Sequence, residues 1–349
     1  MKNLSKPKYA NERFGNAVQL IPQATPPIWF MRQAGRYHKH YRNLKEKNSF
    51  MELCKNPELA AEVALGPVLE FDFDVSILFS DLLFPLEAMG MGLEYSPGPI
   101  LNRQIRTLAA VRSLKSVPES VAALEFQKQA VKYTRELLPK NVSLIGFVGG
   151  PWTLYSYAAK GGHEINQTEI KCEKSVADAF YEKILPLLVE NIRLQLEGGA
   201  EMVMILDTAA GELSPDYFEN YVKKPLIQIC DSYPDRIGYY AKGGTESQFR
   251  SLSTLTGLGG LGIDHRFSIA EFLEARISPG FVQGNFDQSL LFLPRDEFRK
   301  AFREYLKPIL NLNPSQRAGW VAGLGHGLMK DTPEENVKEA VLIIREAFQ

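Results

Sequence analysis

Arg32 and Arg36 stand four residues apart, directly after a short apolar run at 28–31, with Gly35 between them. Two guanidiniums delivered by the end of a rigid element form a fork for carboxylates or phosphates. Asp81 follows a second, mostly apolar run at 75–79. A carboxylate at the edge of a hydrophobic interior has to be paired or hydrogen-bonded. Asp81 therefore reads either as a cap for the next helix or as an acceptor for N–H donors that also stabilises positive charge. His326 lies between Gly325 and Gly327, where backbone and ligand can approach closely, which suits binding of an acidic group. Lys242 could form a Schiff base if desolvated, but nothing in the sequence argues for a depressed pKa, and anion binding is the plainer reading. His38 and His40, two residues apart, would not share a helix face and read as exposed, not as metal ligands.

Elements must bring these scattered groups together. Short apolar runs recur at 28–31, 75–79, 144–148, 202–206, 237–240, 261–263, 281–283 and 320–324, and amphipathic stretches alternate with them. Ser49, Ser214 and Thr332 (the last with Pro333 behind it) read as helix-capping positions. Strands alternating with helices at this count predict a single-domain (β/α)8 TIM barrel spanning 1–349, with about residues 1–12 as a flexible N-terminal extension. The stretch 93–117 reads as an insertion after the second strand. A doubly wound sheet competes, but no GxGxxG follows the first strand, and the glycines at 259, 260 and 262 fall before or within a strand. In a barrel the working residues sit at the C-terminal ends of the strands. That filter gathers Arg32, Arg36, Asp81, Tyr155 and Tyr157, Asp207 and Thr208, Lys242, Asp264 and His265, Asp287, and His326 at one mouth.

Bulk composition narrows the partners. With 40 Lys and Arg against 41 Asp and Glu the formal net charge is -1, so no bulk basicity argues for nucleic acid and any anion site must be local. Cys54, Cys172 and Cys230 are scattered and have no CxxC spacing. This suits a reducing cytosol and disfavours a thiolate metal site. No apolar run approaches membrane-spanning length, and the polar start has no signal-peptide core. A cytoplasmic, soluble protein is the expectation.

Five separated motifs carry a resemblance. They are Pro27-Ile28-Trp29-Phe30-Met31-Arg32-Gln33-Ala34-Gly35-Arg36-Tyr37; Ile77-Leu78-Phe79-Ser80-Asp81-Leu82-Leu83; Gly146-Phe147-Val148-Gly149-Gly150-Pro151-Trp152-Thr153-Leu154 with Tyr157; Gln283-Gly284-Asn285-Phe286-Asp287; and Gly325-His326-Gly327-Leu328. In this order they resemble the uroporphyrinogen decarboxylase family. The resemblance implies decarboxylation of the four acetate side chains of a tetrapyrrole to methyl groups, with no metal or organic cofactor, by a homodimer. It implies that Asp81 accepts from the pyrrole N–H groups and that Arg32 and Arg36 bind substrate. Tyr157 and His326 would line the pocket, and Thr208 falls where the family often has Ser. Asp81 and Arg32 are the implied catalytic pair, although a guanidinium is a poor acid. Departures are His265 where Trp is frequent, Val321-Ala322-Gly323 where an Asn often precedes the last motif, and Lys45 where an Arg can be found. The rival reading is a corrinoid-linked, zinc-dependent methyltransferase of the same barrel superfamily. Against it, none of the three cysteines falls at a predicted strand end, and there is no HxC motif.

Overall fold

A computed structural model describes residues 8–96, 98–162 and 167–349. Seven strands form one sheet: β1 (Val75–Ile77), β2 (Ser143–Gly149), β3 (Met202–Leu206), β4 (Ile237–Tyr240), β5 (Leu258–Gly262), β6 (Phe281–Phe286) and β7 (Trp320–Leu324). They are hydrogen-bonded in sequence order, and every neighbouring pair is parallel. All seven C-terminal ends therefore open on one rim. Each strand is buried along its whole length, as expected when one face meets the barrel interior and the other the helices. One continuous hydrophobic core includes residues of all seven strands and of the helices around them.

The expected first strand is different. Segment 28–31 pairs only through a single parallel bridge, Ile28 to Ala322 of β7. Pro26 and Pro27 have no amide hydrogen to give a ladder, and the chain turns at Arg32, which adopts φ 59°. The segment still closes the barrel between β7 and β1. On one side Trp29 N–H donates to the Ala322 carbonyl (3.0 Å) and Ala322 N–H to Pro27 (2.9 Å); on the other Asp74 N–H donates to Ile28 (3.1 Å). The Ile28 amide goes to the Asp74 carboxylate (2.7 Å) instead of to a strand. Asp74, 4% exposed, also accepts from Asn11 (3.1 Å), Arg13 (3.1 Å) and Arg345 (2.6 Å).

Other boundaries move modestly. The fifth strand starts at Leu258, so the glycine-rich run is the strand itself. The insertion holds a short hairpin, Glu94–Tyr95 with Pro99–Ile100, and the helix Leu108–Arg112. Ser49 forms a full capping box with Glu52, whereas Ser214 makes no side-chain cap bond. Thr332 bonds Met329, and Pro333 takes the N-cap of the last helix. The part of the expected N-terminal extension that the structure describes is packed on the barrel. Ala10 and Asn11 are bonded to Glu201, Ser143 and Asp74, and Tyr9 packs edge-on against Phe14. The remainder of that expectation, residues 1–7, lies outside the described residues. His38 is not exposed: it is 2% accessible, with its ring 4.9 Å from Phe71.

Truncating Asp74 to Ala leaves the Ile28 amide without its acceptor and the Arg345 guanidinium, 18% exposed, without its buried carboxylate, with only the exposed Asp72 at 3.7 Å remaining. Loss of one partner from a buried ion pair costs about 3–5 kcal/mol. Equilibrium urea unfolding of Asp74→Ala is expected to show a loss of that size, and a loss below about 1 kcal/mol would mean that the barrel closes without this carboxylate.

Candidate active site

The two arginines are held by the loop between them. Gln33, 1% exposed, donates to the Val75 carbonyl at the start of β1 (3.1 Å), and the Tyr37 hydroxyl donates back to the Gln33 carbonyl (2.7 Å). Arg32 runs its aliphatic stem across Gly327, where any Cβ would collide with it. That close approach accounts for glycine beside His326. The guanidinium of Arg32 is near enough to act on the charge states of Asp81, Tyr157, Tyr240 and His326. The structure thus gathers four residues singled out in the sequence, Arg32, Asp81, Tyr157 and His326, into one electrostatic neighbourhood on the rim.

Asp81 follows β1, and its Oδ1 accepts the Leu83 amide (2.8 Å). The preceding Ser80 accepts from Gln127 (2.9 Å), whose own Oε1 accepts from Gln195 (3.2 Å); this buried amide chain fixes the strand exit from behind. Burial pushes the Asp81 carboxyl above the ordinary carboxylate range. Tyr95, the Leu83 amide and Arg32 pull it partly back. The Tyr95 hydroxyl approaches the carboxylate from the insertion hairpin without closing a hydrogen bond of good geometry. Tyr95 was absent from the strand-end inventory because it belongs to the insertion, and no spacing links it to Asp81.

Tyr157 sits on helix Pro151–Lys160, and its hydroxyl is pushed up by burial and then by the Asp81 charge. A carboxylate that the sequence marked only by position anchors this helix. Asp207, fully buried after β3, accepts the Thr153 amide (2.8 Å) and the Thr153 hydroxyl (2.6 Å). Thr153 Oγ1 in turn accepts the Ala209 amide (3.0 Å). The exit of β3, including half-buried Thr208, is thereby clasped to the helix that carries Tyr157. Gly150 is required here, since a Cβ would strike the Asp207 carboxyl group. Thr208 itself follows β3 at the rim.

His326 is half-buried. Burial, reinforced by the charges of Arg32 and Lys242, pushes its imidazole down to about 4, so it is neutral near pH 7. Arg36 is exposed and lines a cleft of about 850 Å³, shared with Tyr41, Lys45, Lys330 and Lys338. Tyr41, on the wall of that cleft, packs 5.7 Å from Phe79. Lys242 is exposed on the rim within electrostatic reach of His326. Among the described residues no three His, Cys, Asp or Glu side chains gather as metal ligands, and no helix is long and apolar enough to cross a membrane. Cys54 and Cys230 are buried and Cys172 is exposed.

The family model described as uroporphyrinogen decarboxylase matches residues 9–347. This chain belongs to the uroporphyrinogen decarboxylase family. Among its relatives, the uroporphyrinogen decarboxylase of Carboxydothermus hydrogenoformans is 34% identical, the match covering 96% of each chain. That of Geotalea daltonii is 35% identical, over 97% of this chain and 99% of its own. That of Geobacter sp. strain M21 is 36% identical, over 93% and 95%. Among solved structures, a methyltransferase from Methanosarcina mazei superposes with TM-score 0.77 at 20% identity, covering 97% of this chain and 99% of that one. A putative vitamin-B12 independent methionine synthase from Listeria monocytogenes gives 0.54 at 13%, covering 93% and 97%. At these identities the two structures establish a shared fold only. The match spans Arg32, Asp81, Tyr157 and His326, the four residues that share one electrostatic neighbourhood on the rim.

The Asp207 carboxyl is pushed up to about 6, chiefly by burial, against about 3.9 in an unfolded chain. Between these values the folded state holds the extra proton, so stability falls as pH rises from about 4 to 6. Asp207→Asn, which mimics the protonated form, is expected to remove about 2–3 kcal/mol of that fall. The wild-type-minus-variant difference in unfolding free energy across pH 4–7 measures it, and a flat difference would place the Asp207 proton elsewhere.

Proposed function

We propose that this protein decarboxylates the four acetate side chains of uroporphyrinogen III to methyl groups, giving coproporphyrinogen III for tetrapyrrole biosynthesis. The observation that carries the reading is a partly desolvated carboxylate, Asp81, within electrostatic reach of one guanidinium, Arg32, on the rim of the barrel. It is supported by family membership over nearly the whole chain.

Loss of carbon dioxide from an acetate needs a sink for the electrons of the breaking C–C bond. A pyrrole protonated at its α-carbon supplies one: the bond's electron pair flows into the iminium-like ring and carbon dioxide leaves. A proton added to the exposed methylene, with loss of the α-proton, then gives the methyl group. No metal or organic cofactor enters this sequence. The protein has to hold the macrocycle, stabilise a cationic ring and keep water from competing. Asp81⁻ is suited to accept from the ring N–H groups and to stabilise that cation. Arg32 balances the Asp81 charge and can hold the reacting acetate, while Arg36 and Lys45 in the adjoining cleft suit peripheral carboxylates. Tyr157 and Thr208 bound the same rim. The proton is better assigned to a water or a substrate carboxyl group than to Arg32, because a guanidinium with a pKa above about 12 is a poor acid. A homodimer is part of the proposal, on family grounds, and sedimentation at working concentration tests it.

The methyltransferase reading draws on the shared fold of the Methanosarcina mazei protein. Of the thiols it would use, Cys54 lies within electrostatic reach of Asp81, but Cys54 and Cys230 are both buried on helices, and burial pushes both thiols up, away from the thiolate a zinc ion takes. Product analysis with uroporphyrinogen under anaerobic, reducing conditions separates the two readings, with coproporphyrinogen expected. Stoichiometric zinc in the purified protein together with no product would favour the rival.

Asp81→Gly is expected to lower kcat by about 10²-fold or more while leaving the fold intact by circular dichroism. Near wild-type turnover would sink the central-acceptor role. Arg36→Ala should raise KM by about tenfold with kcat largely kept, as for loss of a charge-assisted contact made equally in the ground and transition states. An unchanged KM would count against a carboxylate clamp in the Arg36 cleft.

A further inference from the structure

Tyr240 ends β4 beneath His326. Its ring lies nearly parallel to the imidazole, at 8° with centroids 6.0 Å apart. Its hydroxyl touches two partners: the Gly325 carbonyl at 2.9 Å and His326 Nδ1 at 3.1 Å. A phenol has one proton to give, and a carbonyl can only accept. The Tyr240 proton therefore goes to Gly325, and toward His326 the hydroxyl can only accept. Nδ1 must then carry a hydrogen. Burial keeps the ring to that single proton, and Arg32, Lys242 and His265 also act against a second positive charge, with Asp264 opposing them. A neutral imidazole protonated at Nδ1 leaves Nε2 with a bare lone pair.

We infer that Tyr240 is a positioning residue that locks His326 in the Nδ1–H tautomer, so that Nε2 meets the substrate as a hydrogen-bond acceptor. The rim histidine then does not take an ionised carboxylate directly, as its flanking glycines first suggested. It takes a group that brings its own proton: a ring N–H, the hydroxyl of an un-ionised carboxyl, or a water bridging to a carboxylate. The division of labour on the rim follows. Arg32 receives negative charge, and His326, beside it, receives a donor. Only the identity of the donor rests on the decarboxylase reading; the tautomer does not.

The test is histidine-selective ¹⁵N labelling of the full chain and a long-range ¹H–¹⁵N correlation spectrum at neutral pH. The chain has five histidines, and the His326 signals are identified by their loss in His326→Gln. The expected result is His326 Nδ1 in the protonated range and Nε2 in the unprotonated range. A proton on Nε2, or averaged shifts on both nitrogens, overturns the proposal, and the wild-type spectrum alone decides this. In Tyr240→Phe the pattern should average or reverse, and kcat/KM should fall by about 3- to 10-fold, the worth of one hydrogen bond. An unchanged spectrum in a folded Tyr240→Phe overturns the assignment to Tyr240. Both spectra are recorded without substrate, so they stand apart from whether uroporphyrinogen is turned over.

Discussion

The Asp74 carboxylate takes the place of a missing strand ladder. The segment 27–31 cannot pair along its length, because two prolines precede it and the chain turns immediately after Met31. Its first free amide is instead received by a buried carboxylate that also binds Arg13 and Arg345. This contact closes the barrel between β7 and β1, and the Leu328 amide then meets the Met31 carbonyl at 2.9 Å. Everything on the rim depends on that closure. It brings the N-terminal arginine over Gly327 and next to His326, at the far end of the chain.

Once placed, Arg32 acts in two directions with one charge. Burial alone would drive both Asp81 and His326 toward their neutral forms, raising the first pKa and lowering the second. The guanidinium lowers both. For a carboxyl group that favours the charged form; for an imidazole it favours the neutral one. A single cation thus keeps an anion available for a developing positive charge and, beside it, an uncharged ring. The same asymmetry leaves His326 ill suited to clamp an ionised carboxylate, a task that the Arg36 and Lys45 side chains lining the nearby cleft fit better under the proposed function.

Much of this was legible in the chain. The strands at 202–206, 237–240 and 320–324 fell where apolar runs met polar breaks, because a strand buried on both faces needs such a run and little else. Arg32, Asp81, Tyr157 and His326 were legible as strand-end residues in the right motif order. Other features could not be read there. Tyr95 reaches Asp81 from an insertion whose path no periodicity reports. Asp207 looked like one more rim carboxylate, yet it turns inward to clasp Thr153. His38 looked exposed from its two-residue spacing to His40, but it starts a helix whose first turn packs on Phe71.

The sequence by itself determined the inventory: which groups exist, which short segments carry them, and the family to which the pattern belongs. These are local properties, set by residue type and by spacing within a few positions. Only the tertiary structure decided which groups share a field, which arginine lines the large cleft, and which partners His326 Nδ1 meets. Those depend on burial and on contacts between residues hundreds of positions apart, and desolvation and Coulomb terms take their size from that surrounding geometry and not from the order of residues along the chain.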